Sequence, residues 1–330
     1  MKIGVLGSGS WGTALTKIIT DNGHEVCWCV RSEKTAEHIR KRHHNPKYLS
    51  SVYFAPDHLM VTSDPAQVYA GSDVVLLAVP SAYVMQYIDA NLNRDWGELT
   101  LVSAVKGMIP GENLLLNQLL EKKYNLPLSS YVTIMGPCHA EEVAAEKLSY
   151  LTFAGSDEVL VGRISGVFKN PNVSTIHSSD VNGVQYAAIL KNIYAVGIGI
   201  AHGLGYGDNF QSVFVANAAG EMIRFLQTLA PSKVHIDYTH SVYLGDLLVT
   251  CYSLFSRNRS FGNMIGKGYS VEATKLTMQM VAEGYPAAKS IFLLNQAAGA
   301  NMPVAACIYR ILWEGADPAV AFNELESLLY

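Results

Sequence analysis

Several short stretches of this 330-residue chain carry residues whose types and spacing could do chemistry. Lys191 and Asn192 stand side by side in AAILKNIYAVGIGIA, Ala187 to Ala201, a segment otherwise almost wholly apolar. At helical spacing the neighbours of Lys191 are Ala187, Ala188, Tyr194 and Ala195. Taking an ammonium group out of water costs several kcal/mol even after relaxation. Such a lysine is therefore either a stem lying over apolar surface with its amine in water, or a working acid–base group. In GDLLVTCYSLFSRNRSFG, Gly245 to Gly262, Asp246 and Thr250 are four apart and share a face if the segment is helical. Ser256, Arg257 and Asn258 follow with a hydroxyl, a guanidinium fork and an amide, a set suited to phosphate; Arg259 reads as a solvated basic turn.

The N-terminus carries a second kind of chemistry. KIGVLGSGSWGTAL holds Gly7, Gly9 and Gly12 in G-x-G-x-x-G spacing between an apolar run and a helical pattern. The first glycine permits a tight turn, the second a close approach of backbone to pyrophosphate, the third close packing of helix on sheet. The free N–H groups at the helix start complete an anion site. An NAD site usually carries Asp or Glu at the end of the next strand. Here CWCVRSE puts Arg31 there, which favours NADP(H) through its 2′-phosphate; Glu33 nearby keeps NAD(H) open, and an ordinary exposed strand end is the bland reading. Two more polar groups follow apolar runs. LVSAVKG ends in Lys106, and VTIMGPCHAEE places Gly136, Pro137 and Cys138 before a helix starting near Ala140. A solvated strand end and simple turn chemistry are the alternatives at those places. His139 could be a base but reads more simply as packing or a cap.

These groups need elements to position them. The strand candidates are Lys2–Leu6, Glu25–Val30, Val74–Val79, Leu99–Val105 and Val132–Met135, with Leu151–Ala154 as an extension. Several are nearly continuous Val, Ile and Leu, as in parallel strands buried on both faces. Their alternation with helical patterns predicts a doubly wound α/β sheet of Rossmann type, whose ligands sit at the strand carboxyl ends. After FKNPNVSTIHSSD the pattern changes, and from Asn182 onward only helical segments are predicted: Gly183–Ala201, Phe210–Leu229, Gly262–Ile265, Ser270–Met280, Pro286–Ala300 and Pro303–Glu314. The expected division is a dinucleotide-binding domain over 1–179 and an all-α C-terminal, substrate-binding and catalytic domain over 180–330.

Composition narrows the function classes. Lys and Arg number 24 against 28 Asp and Glu, a net charge of −4, which argues against an electrostatic nucleic-acid binder or a polybasic membrane binder. No apolar run approaches the ~18–20 residues of a membrane span, and the glycines of the N-terminal stretch argue against a signal peptide. The five scattered cysteines suggest neither a disulfide framework nor a zinc site, since Cys27 and Cys29 lack a second pair. The ten histidines show no metal-ligand spacing. A reducing cytoplasm and no metal are expected.

In this order, Gly7 to Gly12, Lys106, Gly136-Pro137, Lys191-Asn192, Asp246 and Ser256-Arg257-Asn258 make the chain resemble the NAD(P)-dependent glycerol-3-phosphate dehydrogenases, the bacterial type most of all. The resemblance runs nearly end to end through GSGSWGTAL, NPKYL, GPCHAEE, HGLGYGDN, GDLLVTC, SRNRSFG and AEGYPAAK. It implies reversible hydride transfer between NAD(P)H and dihydroxyacetone phosphate or sn-glycerol 3-phosphate, a small phosphorylated three-carbon substrate, feeding phospholipid synthesis. A homodimer is implied at family level. Lys191 would be the catalytic acid/base, with Asn192, Asp246, Thr250 and Lys106 around the reacting carbon. Arg257 and Asn258, helped by Ser256, would hold the substrate phosphate beside Gly136 and Cys138. Ser10, Trp11, Arg31, Lys106, Ala140, Arg257, Val281 and Glu283 would meet the cofactor together with the glycine loop. The chain departs from the family pattern at Cys138 and His139, at Asn217 where many members have Thr-Arg-Gly, at Tyr243 and at Ala282. The nearest rival reading is a ketopantoate-reductase or 6-phosphogluconate-type NADP-dependent dehydrogenase, against which the Ser256-Arg257-Asn258 set and GPCHAEE both tilt. A silent nucleotide-binding protein is the alternative of another class.

Overall fold

The computed structural model describes residues 1–89, 99–229, 236–278 and 282–330, and the chain divides into two compact units, Met1–Asn182 and Gly183–Tyr330. The strands of the first unit are β1 Ile3–Leu6, β2 Val26–Cys29, β3 Leu59–Thr62, β4 Val74–Leu77, β5 Thr100–Ser103, β6 Tyr131–Met135, β7 Ser149–Gly155 and β8 Val173–Ser178. Between them run helices α1 Ser10–Asp21, α2 Glu33–Arg42, α3 Pro65–Ala70, α4 Val84–Asp89, α5 Leu116–Tyr124, α6 Ala140–Ala144 and α7 Glu158–Phe168. One eight-stranded sheet results, ordered β3-β2-β1-β4-β5-β6-β7-β8. All its pairings are parallel except β6 with β7.

The strand sequences explain the layering. Side chains alternate across a strand, so Val26 and Trp28 enter one core with Val74, Leu76 and the α1 side chains Leu15 and Ile19. Cys27 and Cys29 enter the other, with Val75, Leu77 and the α5 side chains Leu116, Leu119 and Leu120. Both faces are covered, which is why these strands read as unbroken apolar runs. The strand order reverses between β1 and β4, so the chain leaves their carboxyl ends in opposite senses and opens a crevice where such sheets bind ligands.

Two strands fall outside the sequence expectation. β3 and β8 are the two sheet edges, and most residues of β8 are half-buried. An edge strand has one neighbour and less apolar cover, so its sequence carries no long Val/Ile/Leu run.

Among its described residues the second unit contains helices and no strand: α8 Val181–Gly203, which starts two residues before it, α9 Asp208–Leu229, α10 Asp246–Tyr252, α11 Arg257–Gly266, α12 Val271–Thr277, α13 Gly284–Ala298, α14 Pro303–Trp313 and α15 Pro318–Glu326. A single π-helical turn, Ser241–Gly245, feeds α10. Helix α8 is central. Phe214 of α9 and Ile308 of α14 press on its Gly197, and it meets α11 backbone to backbone. A Cβ at Gly262 of α11 would lie 2.0 Å from the Val196 carbonyl, and one at Gly199 of α8 would lie 2.1 Å from the Arg259 carbonyl. Glycine is what lets these two helices touch. Contrary to the sequence expectation, α8 is long and apolar enough by composition to cross a membrane, but its most apolar 18-residue window is entirely buried within the protein.

Candidate active site

The first unit supplies a cradle at the end of β1. Gly7 has φ +119°, and a Cβ there would lie 2.4 Å from the Ala78 carbonyl beyond β4, so only glycine makes this turn. A Cβ on Gly12 would meet the Gly7 carbonyl at 2.3 Å, whereas one on Gly9 would meet nothing within 4 Å. The space a Cβ of Gly9 would fill is therefore open to a ligand. Gly9 caps α1 with no side-chain hydrogen bond. The loop carbonyls are turned inward: Trp28 Nε1 donates to Gly7 O at 2.9 Å, and Asn45 Nδ2 donates to Ser8 O at 3.0 Å and to Thr13 Oγ1 at 2.9 Å. With the carbonyl oxygens held against the protein and a helix N-terminus facing the open side, the loop fits a dinucleotide pyrophosphate. Trp28 and Asn45 had no assigned role in the sequence; Trp28 reads as core, and Asn45 stands in NPKYL without a chemical cue.

Arg31 lies two residues beyond β2 and is exposed. Glu33 is engaged elsewhere, accepting from Arg40 at 2.5 Å and Ser63 at 2.7 Å, hydrogen bonds that hold its carboxyl below the ordinary range. With Glu33 engaged in this way, the guanidinium of Arg31 stands exposed just beyond the strand end, an arrangement that suits a 2′-phosphate. Lys106 follows β5 and sits over the Trp11 ring, 5.3 Å from its centroid, a cation–π contact that fixes the ammonium beside the glycine loop. The buried Trp11 Nε1 has no hydrogen-bond partner among the described residues. Gly136 follows β6 with φ +130°, and the Cys138 thiol donates to the Tyr150 carbonyl at 3.2 Å. Ala140 opens α6. Val281 lies outside the described residues.

The second unit gathers a buried polar set on α8, α10 and α11. Lys191 is 4% exposed and Asp246 1%, and Lys191 Nζ donates to Asp246 Oδ1. The amine does not reach water along its stem; it is neutralised in place. Asp246 Oδ2 and Asn192 Nδ2, both buried, have no hydrogen-bond partner among the described residues. An acceptor and a donor beside one ion pair fit a hydroxylated or carbonyl-bearing ligand, because leaving them empty costs desolvation energy without return. Thr250 turns its hydroxyl back to the Asp246 carbonyl at 2.6 Å, so it braces the turn carrying Asp246 and offers only its lone pairs outward. Cys251 beside it is fully buried, which pushes its thiol up to about 12 and removes it from nucleophilic chemistry.

Ser256 is the N-cap of α11, its Oγ accepting from Arg259 N at 3.3 Å. The helix therefore begins at Arg257, five residues earlier than its apolar pattern suggests. That start turns Ser256-Arg257-Asn258 from a loop cluster into a helix N-terminus, where backbone N–H groups and the dipole add to the guanidinium. Asn258 Nδ2 donates to Asn192 Oδ1 at 2.9 Å, which ties this N-terminus to the lysine pair on α8. Glu283 stands at the N-cap position of α13 without a side-chain capping bond, and the Gly284 N–H donates to Asn258 Oδ1 at 2.9 Å. A second buried network lies one turn along: Tyr194 donates to Glu221 at 3.0 Å, and Glu221 caps α14 by accepting from Val304 N and Ala305 N. Asn217, where the family pattern differs, donates to the Tyr330 carbonyl at 2.8 Å.

Comparisons with known proteins show the family. Models of the N- and C-terminal parts of NAD-dependent glycerol-3-phosphate dehydrogenase match residues 2–161 and 180–323. A glycerol-3-phosphate dehydrogenase (NAD(P)+) of Halalkalibacterium halodurans is 33% identical over 98% of this chain and 93% of its own length. One from Streptococcus uberis is 32% identical over 96% of this chain and 93% of its own. The crystal structure of glycerol-3-phosphate dehydrogenase from Coxiella burnetii superposes with TM-score 0.90, at 26% identity and over 98% of each chain. A ketopantoate reductase from Ralstonia eutropha, at 15% identity and TM-score 0.58, shares the fold alone. By residues, fold and these matches, the chain belongs to the NAD-dependent glycerol-3-phosphate dehydrogenase family.

Proposed function

We propose that this protein reversibly reduces dihydroxyacetone phosphate to sn-glycerol 3-phosphate with NAD(P)H, NADPH being preferred, and so supplies a phospholipid precursor in the cytoplasm, acting as a homodimer. The observation that carries the reading is the buried Lys191–Asp246 pair, flanked by two polar atoms unsatisfied among the described residues and tied through Asn258 to a helix N-terminus. Gly7, Gly9, Ser10, Trp11 and Gly12 would hold the pyrophosphate, Arg31 the 2′-phosphate, and Lys106, Ala140, Arg257, Val281 and Glu283 the rest of the cofactor. Bound there, the reduced nicotinamide supplies a hydride.

The protein's own groups do the remainder. Arg257, Ser256 and the first N–H groups of α11 hold the substrate phosphate; the family resemblance assigns Lys106, Gly136 and Cys138 to the substrate as well. Lys191 donates a proton from Nζ to the substrate oxygen as its carbon becomes tetrahedral, and in the reverse direction takes that proton from the hydroxyl. Asp246 keeps the amine in position and compensates its charge. Asn192 Nδ2 donates to the same oxygen while negative charge develops on it.

The test is cofactor oxidation with dihydroxyacetone phosphate, run with NADPH and NADH and against unphosphorylated dihydroxyacetone. Rapid phosphate-dependent oxidation, faster with NADPH, is expected. Equal rates with the unphosphorylated ketone would remove the phosphate site, and equal efficiency with NADH would remove the role given to Arg31.

A further inference from the structure

Asn258 has both ends of its amide engaged inside the protein. Its Oδ1 accepts from the Gly284 backbone N–H at 2.9 Å, and its Nδ2 donates to Asn192 Oδ1 at 2.9 Å. Asn192 and Asn258 are 5% and 8% exposed, so water does not compete for these bonds. The direction of the chain is forced from one end. A backbone N–H can only donate, so the atom of Asn258 that faces it is the oxygen. The amide nitrogen of Asn258 then faces Asn192 and must meet an oxygen. What remains of the Asn192 amide is Nδ2, a donor, buried and without a partner among the described residues. The close approach of Gly284 is part of the device, since a Cβ there would lie 2.4 Å from the Asn192 carbonyl.

We infer that Asn258 is a positioning residue: with the Gly284 N–H it sets the rotation of the Asn192 amide, so that a donor and never an acceptor faces the substrate oxygen. The inference rests on the reaction proposed above for its kinetic consequence, not for its geometry.

Asn258→Asp tests it. The new carboxylate still accepts from Gly284 but now offers oxygen to Asn192 as well, so the Asn192 amide turns over and presents Oδ1 to the substrate. Turnover of dihydroxyacetone phosphate should fall roughly 10²–10³-fold, as when an oxyanion donor is lost. KM should move only a few-fold. The Asn192 side-chain amide, followed by 15N NMR without substrate, should gain a downfield proton with slowed exchange, the mark of a bond to carboxylate. Asn258→Ala frees the Asn192 amide to rotate without inverting it, and should lose less turnover than the Asp variant at similar KM. If the Asp variant does not fold, a turnover loss in the Ala variant without a rise in KM supports the relay. A large rise in KM with turnover kept and the Asn192 resonance unmoved would overturn it and make Asn258 a phosphate ligand. A wild-type protein inactive on dihydroxyacetone phosphate would end the proposed function, while the NMR comparison would still decide the relay.

Discussion

At the scale of single residues, the buried Lys191–Asp246 pair sets the terms. Lys191→Ala should retain NADPH binding by fluorescence titration yet lose turnover by about 10²–10⁴-fold, the usual worth of positioned acid–base catalysis; near-normal turnover would end its role. Asp246→Ala leaves an uncompensated ammonium where only 1% of the aspartate is exposed, and should cost about 3–5 kcal/mol in urea unfolding. Replacing the pair together, Lys191→Met with Asp246→Leu, should recover most of that stability and none of the activity. Glu221 makes a prediction of a different sign. Burial, partly offset by hydrogen bonds from Ala305 N, Val304 N and Tyr194 and by the charge of Arg224, raises its carboxyl from 4.5 to about 7. Between those values the folded protein holds a proton that the unfolded chain has released. The stabilising contribution is therefore complete below about pH 4.5 and is lost as pH rises through about 7. Glu221→Gln, which cannot titrate, should flatten the fall in urea midpoint across that window; an unchanged slope would place the titrating group elsewhere.

At the scale of elements, the packing of α11 on α8 decides whether the polar residues meet. The two helices approach through Gly199 and Gly262, with the same relation repeated one turn along by Gly203 and Gly266. Gly262→Ala puts a methyl 2.0 Å from the Val196 carbonyl, and the helices must separate. The expected cost is about 1–3 kcal/mol, the range of an overpacked core, and KM for dihydroxyacetone phosphate should rise if, as proposed, α11 carries the groups that hold the phosphate. Unchanged stability and KM would show that the approach has slack. Most of these elements are legible as sequence, because α8, α9, α13 and α14 are long and strongly apolar and β1, β2, β4, β5 and β6 are continuous runs. β3 and β8 are not, for want of burial at the sheet edges. The start of α11 escapes a reading by hydrophobic period, because its first turn is Arg-Asn-Arg-Ser and only the Ser256 cap marks it.

At the scale of the whole molecule, a protein of net charge −4 is expected to recruit two anions, a dinucleotide and a phosphorylated substrate. The positive charges proposed for them, Arg31, Lys106 and Arg257, must act locally against that background. Raising ionic strength from 0.01 to 0.15 M shortens the Debye length from about 30 to about 8 Å. KM for NADPH and for dihydroxyacetone phosphate should both rise over that range while turnover at saturation stays level. Salt-independent KM values would mean that hydrogen bonds rather than charge dominate recognition.

The sequence alone carries the α/β class, the change to helices near residue 180 and the identity of the polar residues, because periodicity, glycine spacing and local motifs act over a few residues. The pairing of Lys191 with Asp246 across 55 positions, the inward turn of the Gly7 and Ser8 carbonyls toward Trp28 and Asn45, and the path from Gly284 through Asn258 to Asn192 belong to the tertiary structure. Each joins segments distant in the chain. A hydrogen bond specifies its partner by direction and by the absence of competing water, and both exist only once the helices have packed.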